Sequence, residues 1–412
     1  MKIFIIPLVL LVATMSPAQT RLGLHECEER FIHQNLQAIA AHYNVDIAEA
    51  QASQAGLWDN PQLSAEMNAI DPEQKQLFNV GGEKSFSIEQ LLHLGGQKSY
   101  EHSVAEATAE SARYQFDDVL RNLKFQLHQA FFSLYYDNNS LEALDTQLSN
   151  ISELTQKYIE QQAKGTVSLK DVTRLQALAI SFRNSRTEVI ERVNDEEKTL
   201  EVLLRLDSGI VPVPTTTELQ RYQEALNKPL DSLIRVAIDN RPDLKATEET
   251  IEASKWNCKW QRSLAIPDLT VGATYDQRGS AYENEINLSL SIPLPLWNRN
   301  QGNIAAADAT LRQATTTQEL GRLQVIEEVK FAYKRYQQAR ENFLLADSTL
   351  TSNFQTIYRS MLENFQNRNT SMIEFTDFME SYHQSIVEIN QLRNTFIQAC
   401  EQLNLSTNSS LF

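Results

Sequence analysis

Residues 163–172 read AKGTVSLKDV, and the reading of that decapeptide decides the fold. A helical pattern runs from Gln97 up to it and resumes directly after it, with one glycine between. So brief an interruption does not separate two domains. It reads as a corner at which a long helix reverses, because Gly165 tolerates the backbone angles a tight reversal needs.

Both legs of that corner carry heptad spacing. Before it, Leu120, Leu123, Leu127, Ala130, Leu134, Leu141, Leu144, Leu148, Ile151 and Tyr158 recur at steps of three and four; after it come Val172, Leu175, Ala179, Phe182, Val189, Val193, Leu200 and Leu203. Helices with this repeat supercoil around one another. An unbroken helix from Gln97 to Lys164 would reach about 100 Å at ~1.5 Å per residue, far beyond what a globular core needs.

The corner has a twin. KGTVSLKDV (164–172) corresponds to RNTSMIEFT (368–376), an offset of 204. Asn369 stands at the place matching the glycine, and asparagine is the next most tolerant residue there. Pro61 in DNPQLSAEM matches Pro267 in AIPDLTVGATY, and SFSIEQLLHLGGQKS (85–99) matches INLSLSIPLPLWNRNQGN (286–303). Repetition at nearly one offset makes the chain two copies of one unit. The expected organisation is a first repeat over 19–206, a linker over 207–230 with the Pro and Thr content of DSGIVPVPTTTE, a second repeat over 231–405 and a tail over 406–412.

Each repeat also carries two segments of period two, the pattern of a strand with one apolar and one polar face. They lie near 61–69, 85–94, 268–276 and 285–292. Leu63 and Met67, Phe86 and Ile88, Leu269 and Val271, and Leu288 and Leu290 hold the apolar side. Segments of about ten residues suit a tilted transmembrane β-strand; solvated hairpins on a soluble domain fit the pattern too. Four strands cannot close a barrel, and an open sheet edge is not tolerated in lipid. Membrane strands would therefore require several chains to share one barrel.

Composition narrows the class. MKIFIIPLVLLVATMSPAQT has a basic residue, an apolar run and a small-x-small site, so residues 1–18 read as a secretory signal peptide. The net charge of −16 argues against nucleic acid as a partner and is compatible with cations. Cys27, Cys258 and Cys400 are too few for a disulfide framework. The seven histidines are scattered, and no His/Cys/Asp/Glu cluster has metal-ligand spacing. Hydrolase, phosphate-loop and zinc-protease motifs are missing, so neither an enzyme nor a cofactor is expected.

The succession of helix, strand, strand, long helix, corner and returning helix resembles the TolC family of outer-membrane efflux factors. The resemblance covers about residues 25–405. It is carried by NPQL and IPDL opening the first strand of each repeat, by LLHLGGQKS and IPLPLWNRNQGNI closing the second, and by the two corners. YNVDIAEAQASQAGLWDNPQL with IEQLLHLGGQKS is similar to the heavy-metal branch, the cobalt–zinc–cadmium and copper efflux ducts. The resemblance implies a mainly α fold with a small β part. Long coiled-coil hairpins would form a periplasmic α-barrel, and a homotrimer would share one twelve-stranded β-barrel in the outer membrane. Its partners would be a periplasmic membrane-fusion adaptor, an inner-membrane pump of the resistance-nodulation-division type and outer-membrane lipid, which the apolar strand faces would contact. The corners would be the adaptor-docking tip: Gly165, Thr166, Val167, Ser168 and Leu169 with Asn369, Thr370, Ser371, Met372 and Ile373.

Asp171 matches an acid that helps hold such a tip closed. Its usual arginine partner falls at Ser371, which cannot pair ionically, and Arg368 is the nearby substitute. The family's acidic constriction maps onto Phe375 and Phe378, flanked by Glu374 and Asp377. The expected function is the outer-membrane channel of a tripartite efflux system, passing heavy-metal cations. The alternatives are the same duct serving drug efflux or protein secretion, or a structural coiled-coil protein of the envelope.

Overall fold

In the computed structural model the described residues are 20–71, 76–77, 84–277, 283–345 and 348–412; the expected signal peptide lies outside them. In chain order the elements are β1 (Thr20–Leu22), α1 (Leu24–Gln34), α2 (Leu36–Ala55), β2 (Gln62–Met67), β3 (Ile70–Asp71), β4 (Gln76–Leu77), β5 (Lys84–Leu92), α3 (Gln97–Ala163) and α4 (Leu169–Leu204). There follow β6 (Ile210–Pro212), α5 (Thr216–Gln223), α6 (Leu230–Asn240), α7 (Pro242–Ser263), β7 (Leu269–Gln277), β8 (Glu285–Ser291), α8 (Gln301–Leu345), α9 (Ser348–Gln366) and α10 (Met372–Thr407). The heptad legs of the first corner are thus the long helices α3 and α4, and the alternating segments are β2, β5, β7 and β8.

Two compact units take their residues from both halves of the sequence. One holds Ala40–Val119 and Arg241–Gln324; the other holds the described residues up to Ile39 with Leu120–Asn240 and Val325–Phe412. The first unit contains an antiparallel sheet in the order β2-β5-β7-β8. The two hairpin pairs of the sequence repeat therefore join side by side, through β5 and β7. No residue of these four strands is buried. The adjoining helices pack on small side chains, Ala48, Ala52 and Ala109, and the Ser111 hydroxyl donates to the Ala246 carbonyl (2.9 Å).

The second unit is held by a helical core. Near the corners Ile151, Leu175, Leu178, Phe182, Phe365, Phe375 and Met379 form one buried cluster. Aromatic stacking continues it, Tyr158 on Phe365 (5.6 Å between centroids) and Phe365 on Phe375 (4.0 Å). Between α3 and α10 runs a seam of side-chain hydrogen bonds. Gln147 meets His383 (3.1 Å), Ser140 accepts from Asn390 (3.0 Å), Ser133 accepts from Asn394 (3.0 Å), and the Gln129 carbonyl accepts from Gln398 (3.0 Å). Rising numbers on one helix meet falling numbers on the other, so the seam fixes an antiparallel register. A buried polar residue in a coiled coil specifies register in this way, at some cost in stability. Gln147 Oε1 accepts at His383 Nδ1, which puts the hydrogen of the neutral ring on that nitrogen; burial lowers the pKa of His383 to about 4.

The expected linker is ordered. β6 pairs in parallel with β1, and Thr215 and Glu218 form a capping box at the start of α5. Beside it lies a buried ionic clamp of four elements. His128 of α3 contacts Glu28 of α1 (2.7 Å) and Glu401 of α10 (3.0 Å), and the Tyr222 hydroxyl of α5 donates to Glu401 (2.6 Å). His128 and Glu401 are 7% and 6% exposed. Burial opposes the charge on His128, but Glu28 and Glu401 outweigh it and push its pKa up to about 9. The His128 hydrogen bond, aided by Lys124, pulls Glu28 down to about 2. Burial would raise Glu401, yet His128, Tyr222 and Asn404 hold it low.

The clamp predicts a pH signature. A raised histidine pKa stabilises fully below its ordinary value of 6.5, and that contribution is lost as pH rises through about 9. A depressed glutamate pKa stabilises fully above 4.5, and that contribution is lost as pH falls through about 2. Removing one partner of a buried ion pair costs about 3–5 kcal/mol. His128→Gln should therefore lower the unfolding midpoint followed by circular dichroism in detergent, with the largest deficit between the two ordinary values and a smaller one above pH 9.

Candidate functional site

The sheet separates its faces row by row. Leu63, Ile88, Ala273 and Leu288 lie in register across the four strands, as do Ala65, Phe86, Tyr275 and Ile286, and Val271 pairs with Leu290. Met67 and Leu269 fall on the same face by strand alternation. All eight residues expected to hold the apolar side thus share one face of one sheet. The opposite face carries the row Ser64, Ser87, Thr274 and Asn287, and the row Glu66, Ser85, Asp276 and Glu285. In a third row Glu89 lies opposite Gly272, where an added Cβ would stand 3.1 Å from Glu89 Cγ and 2.5 Å from Ser289 Oγ. Glycine there leaves room for those two polar side chains.

Among the described residues no second layer covers the apolar face: Leu63 is 75% exposed and Leu288 86%. β2 and β8 form the two edges, each with one partner within the chain. At the end of the sheet where β2 begins, His93 is held between Asp59 Oδ2 and, at 3.3 Å, Asp268 Oδ1. That contact ties the chain entering β2 and β7 to the chain leaving β5. It was not readable from the sequence, where the three residues lie in separate segments.

Both corners are built alike. α3 ends with the Thr166 N–H returning to the Gln161 carbonyl (3.0 Å), and α9 with the Asn369 N–H returning to the Asn364 carbonyl (2.8 Å). That five-residue return needs a left-handed residue just before the donor. Gly165 supplies it at φ +73°; in the second corner Arg368 does, at φ +61°. The expected match of Asn369 to Gly165 is corrected to Arg368 by one position. A non-glycine residue there costs about 1–2 kcal/mol, and the Arg368 guanidinium reaches across to Gln161 Oε1 (3.5 Å). A Cβ on Gly165 would meet nothing within 4 Å, so its constraint is the backbone angle alone.

Ser168 and Ser371 cap the returning helices, accepting from the Asp171 and Glu374 N–H groups (both 3.2 Å). Asp171 in turn accepts from the Ser168 hydroxyl (2.7 Å) and Glu374 from the Ser371 hydroxyl (2.9 Å). The Ser371 backbone and side-chain hydrogen bonds lower the pKa of Glu374. Ser371 is thus the twin of Ser168, not the partner of Asp171. Among the described residues no ion pair joins Arg368 to Asp171. Phe375 is fully buried in the core and Phe378 packs against it, whereas Glu374 and Asp377 are exposed. Thr166, Thr370 and Met372 lie within the corners; Leu169 and Ile373 present exposed apolar side chains, 68% and 61%, and Val167 is half-buried. Among the described residues no group of three or more His, Cys, Asp or Glu side chains could hold a metal ion, and no helix is long and apolar enough to cross a membrane.

Residues 233–409 match the family described as Outer membrane efflux protein. The chain is 24% identical over 286 residues to the cobalt-zinc-cadmium resistance protein CzcC of Cupriavidus metallidurans, covering 69% of this chain and 65% of that one. It is 21% identical over 283 residues to the toxin and drug export protein A of Aggregatibacter actinomycetemcomitans, covering 65% of this chain and 60% of that one. These alignments thus span less than two thirds of either relative. Among solved structures, CusC superposes with a TM-score of 0.76 at 16% identity, covering 94% of this chain and 92% of that one. The Campylobacter jejuni outer membrane channel CmeC superposes with a TM-score of 0.76 at 13% identity, covering 93% and 85%. Residues 233–409 thus match the outer membrane efflux protein family, the chain shares its fold with solved outer-membrane channels over most of its length, and an outer-membrane location with a long periplasmic part accords with both. The family is described by efflux, not by catalysis.

The caps predict a local effect. Loss of an N-cap hydroxyl costs about 0.5–2 kcal/mol. Ser371→Ala should speed amide exchange in the first turn of α10 by about 2- to 30-fold on that scale, leaving exchange in the clamp region unchanged.

Proposed function

We propose that this chain is the outer-membrane channel of a tripartite efflux system. The carrying observation is, among the described residues, the four-stranded sheet with two open edges, no buried residue and one face whose two central rows are wholly apolar. Such a sheet is not stable in water alone and not permitted in lipid alone. A homotrimer resolves both conditions, since three sheets joined β2 to β8 make a twelve-stranded barrel with lipid outside and water inside. The face bearing Glu66, Glu89, Asp276 and Glu285 then lines the water-filled lumen. The capped corners form the tip that docks a periplasmic adaptor, through Gly165 to Leu169 and Asn369 to Ile373, and the adaptor links the channel to a resistance-nodulation-division pump. Asp171, Arg368, Glu374 and Asp377 remain the charged groups placed to bias the tip's opening.

The cargo is heavy-metal cations. The similarity to a protein named for cobalt, zinc and cadmium resistance supports this, as does an acidic polar face, because rings of carboxylates favour cations. The weaker similarity to a toxin and drug exporter favours organic cargo as the second reading.

A strain lacking this protein tests the proposal when complemented with variants. The native chain should restore growth on zinc, cobalt, cadmium or copper. Arginine at a mid-membrane lipid-facing strand position costs about 2–4 kcal/mol, so Leu288→Arg should fail to complement, while Asn287→Arg, on the other face, should yield trimers. Restoration by Leu288→Arg would contradict the barrel; restoration of drug tolerance alone would replace the cargo.

A further inference from the structure

His383 has one ring edge that the helical core leaves unused. Its Nδ1 is taken by Gln147 of α3 (3.1 Å), and its face by Phe182 of α4, stacked at 4.0 Å between centroids and 3° between planes. His383 is 6% exposed, yet its Nε2 has no hydrogen-bond partner among the described residues. A buried polar atom left in that state is destabilising, so the position favours a donor. With the ring neutral and its hydrogen on Nδ1, Nε2 is a lone pair that accepts and cannot donate. His383 lines a cavity of about 390 Å³ between α4 and α10, and Gln147 does not. That volume falls in the range of small-molecule sites and far exceeds the ~30 Å³ of one water. The cavity lies within the helical unit, about 17–20 Å along α4 and α10 from the corners at ~1.5 Å per residue.

The rest of the lining sets the class of guest. Phe182, Val189 and Val387 give the cavity an apolar wall, and Glu188, Glu380 and Glu388 bring three exposed carboxylates to it. Arg192 also lines it, but its guanidinium is held by Asp137 (2.9 Å). Among the described residues no ion pair engages Glu188, Glu380 or Glu388, and Glu388 accepts from the neutral Gln384 amide (2.8 Å). We infer that this cavity binds an organic ammonium ion, whose N–H groups donate to His383 Nε2 and to the carboxylates while its apolar body lies against Phe182, Val189 and Val387. An anion is repelled by the carboxylates. A metal ion lacks a ligand set, because among the described residues no group of three or more His, Cys, Asp or Glu side chains could hold one. A quaternary ammonium has the charge but no N–H to offer Nε2. The bound ion joins α4 of the first hairpin to α10 of the second. The inference goes beyond the channel reading and does not rest on it, since every residue of the site belongs to the helical unit.

Isothermal titration calorimetry of the full chain in detergent at neutral pH tests this with three probes: phenethylammonium, its trimethylated analogue and zinc chloride. The native chain should bind phenethylammonium at one site per chain. The trimethylated analogue should bind about tenfold more weakly or worse, the loss expected for one charge-assisted hydrogen bond. His383→Phe keeps a ring against Phe182 and removes Nε2, so it should weaken phenethylammonium by a similar factor. The double variant Glu188→Gln with Glu380→Gln changes two exposed positions, so it reads the site even where His383→Phe does not fold; it should weaken binding by about 2- to 5-fold per carboxylate. Saturating phenethylammonium should also slow amide exchange in α4 and α10 around Phe182 and His383. Absence of phenethylammonium binding leaves water as the partner of Nε2 and overturns the inference. Equal affinity for the trimethylated analogue overturns the role given to His383. Unchanged affinity in the double variant puts the binding elsewhere and overturns the site. Zinc that binds more tightly and displaces the amine overturns the class of ligand. None of these results bears on the growth test of the channel, so the two readings fail separately.

Discussion

Everything else in this protein follows from a sheet that the described residues neither cover nor close. An antiparallel sheet in water places one face on a core, and full burial of a leucine or isoleucine is worth about 1.5–3 kcal/mol. Here Leu63, Ile286, Leu288 and Leu290, 68–86% exposed, gain little of that from the described residues. The strand edges β2 and β8 leave backbone groups without a ladder partner. The described residues supply covered helices and an uncovered sheet, and the proposed trimer in lipid is the arrangement that would cover the face and close the edges.

The helices meet the opposite problem. α3 is 67 residues long and α10 is 36, and long apolar seams can slide by a heptad with little penalty. The hydrogen bonds of Gln147, Ser140 and Ser133 with His383, Asn390 and Asn394 remove that freedom. The clamp of Glu28, His128, Glu401 and Tyr222 pins the same two helices to α1 and α5. Apolar clusters near the corners supply stability; the polar seam and the clamp supply alignment. At each corner the serine cap and the return to the Gln161 or Asn364 carbonyl satisfy part of the helix termini.

Much of this was legible in the sequence because it is written in local periodicity. Alternation at Leu63–Met67 and at Ile286–Leu290 is a two-residue signal, and the legs on either side of Gly165 are a heptad signal. Both survive in any context that buries or exposes a face. What was not legible depends on residues far apart in the chain. His128 and Glu401 are isolated polar residues until α3 and α10 are laid side by side. The 207–230 stretch read as a linker from its proline and threonine content, yet the Thr215–Glu218 capping box starts a helix there and β6 finds β1. The shift from Asn369 to Arg368 has a third cause. Propensity favours asparagine for a left-handed turn, but the position is set by where α9 stops, and Phe365 stacked between Tyr158 and Phe375 fixes that end.

The central claim is that the sheet is one third of a barrel closed by other chains, and disulfide trapping across its edges tests it most directly. Cys27, Cys258 and Cys400 are buried and unpaired, so they would be replaced first, and cysteine pairs then scanned with one partner on β2 and the other on β8. The account predicts covalent dimers and trimers, with trimers as the largest species and a single β2–β8 register giving the highest yield. Monomers cross-linked within one chain, or no cross-linking in any register in the membrane fraction, would contradict it.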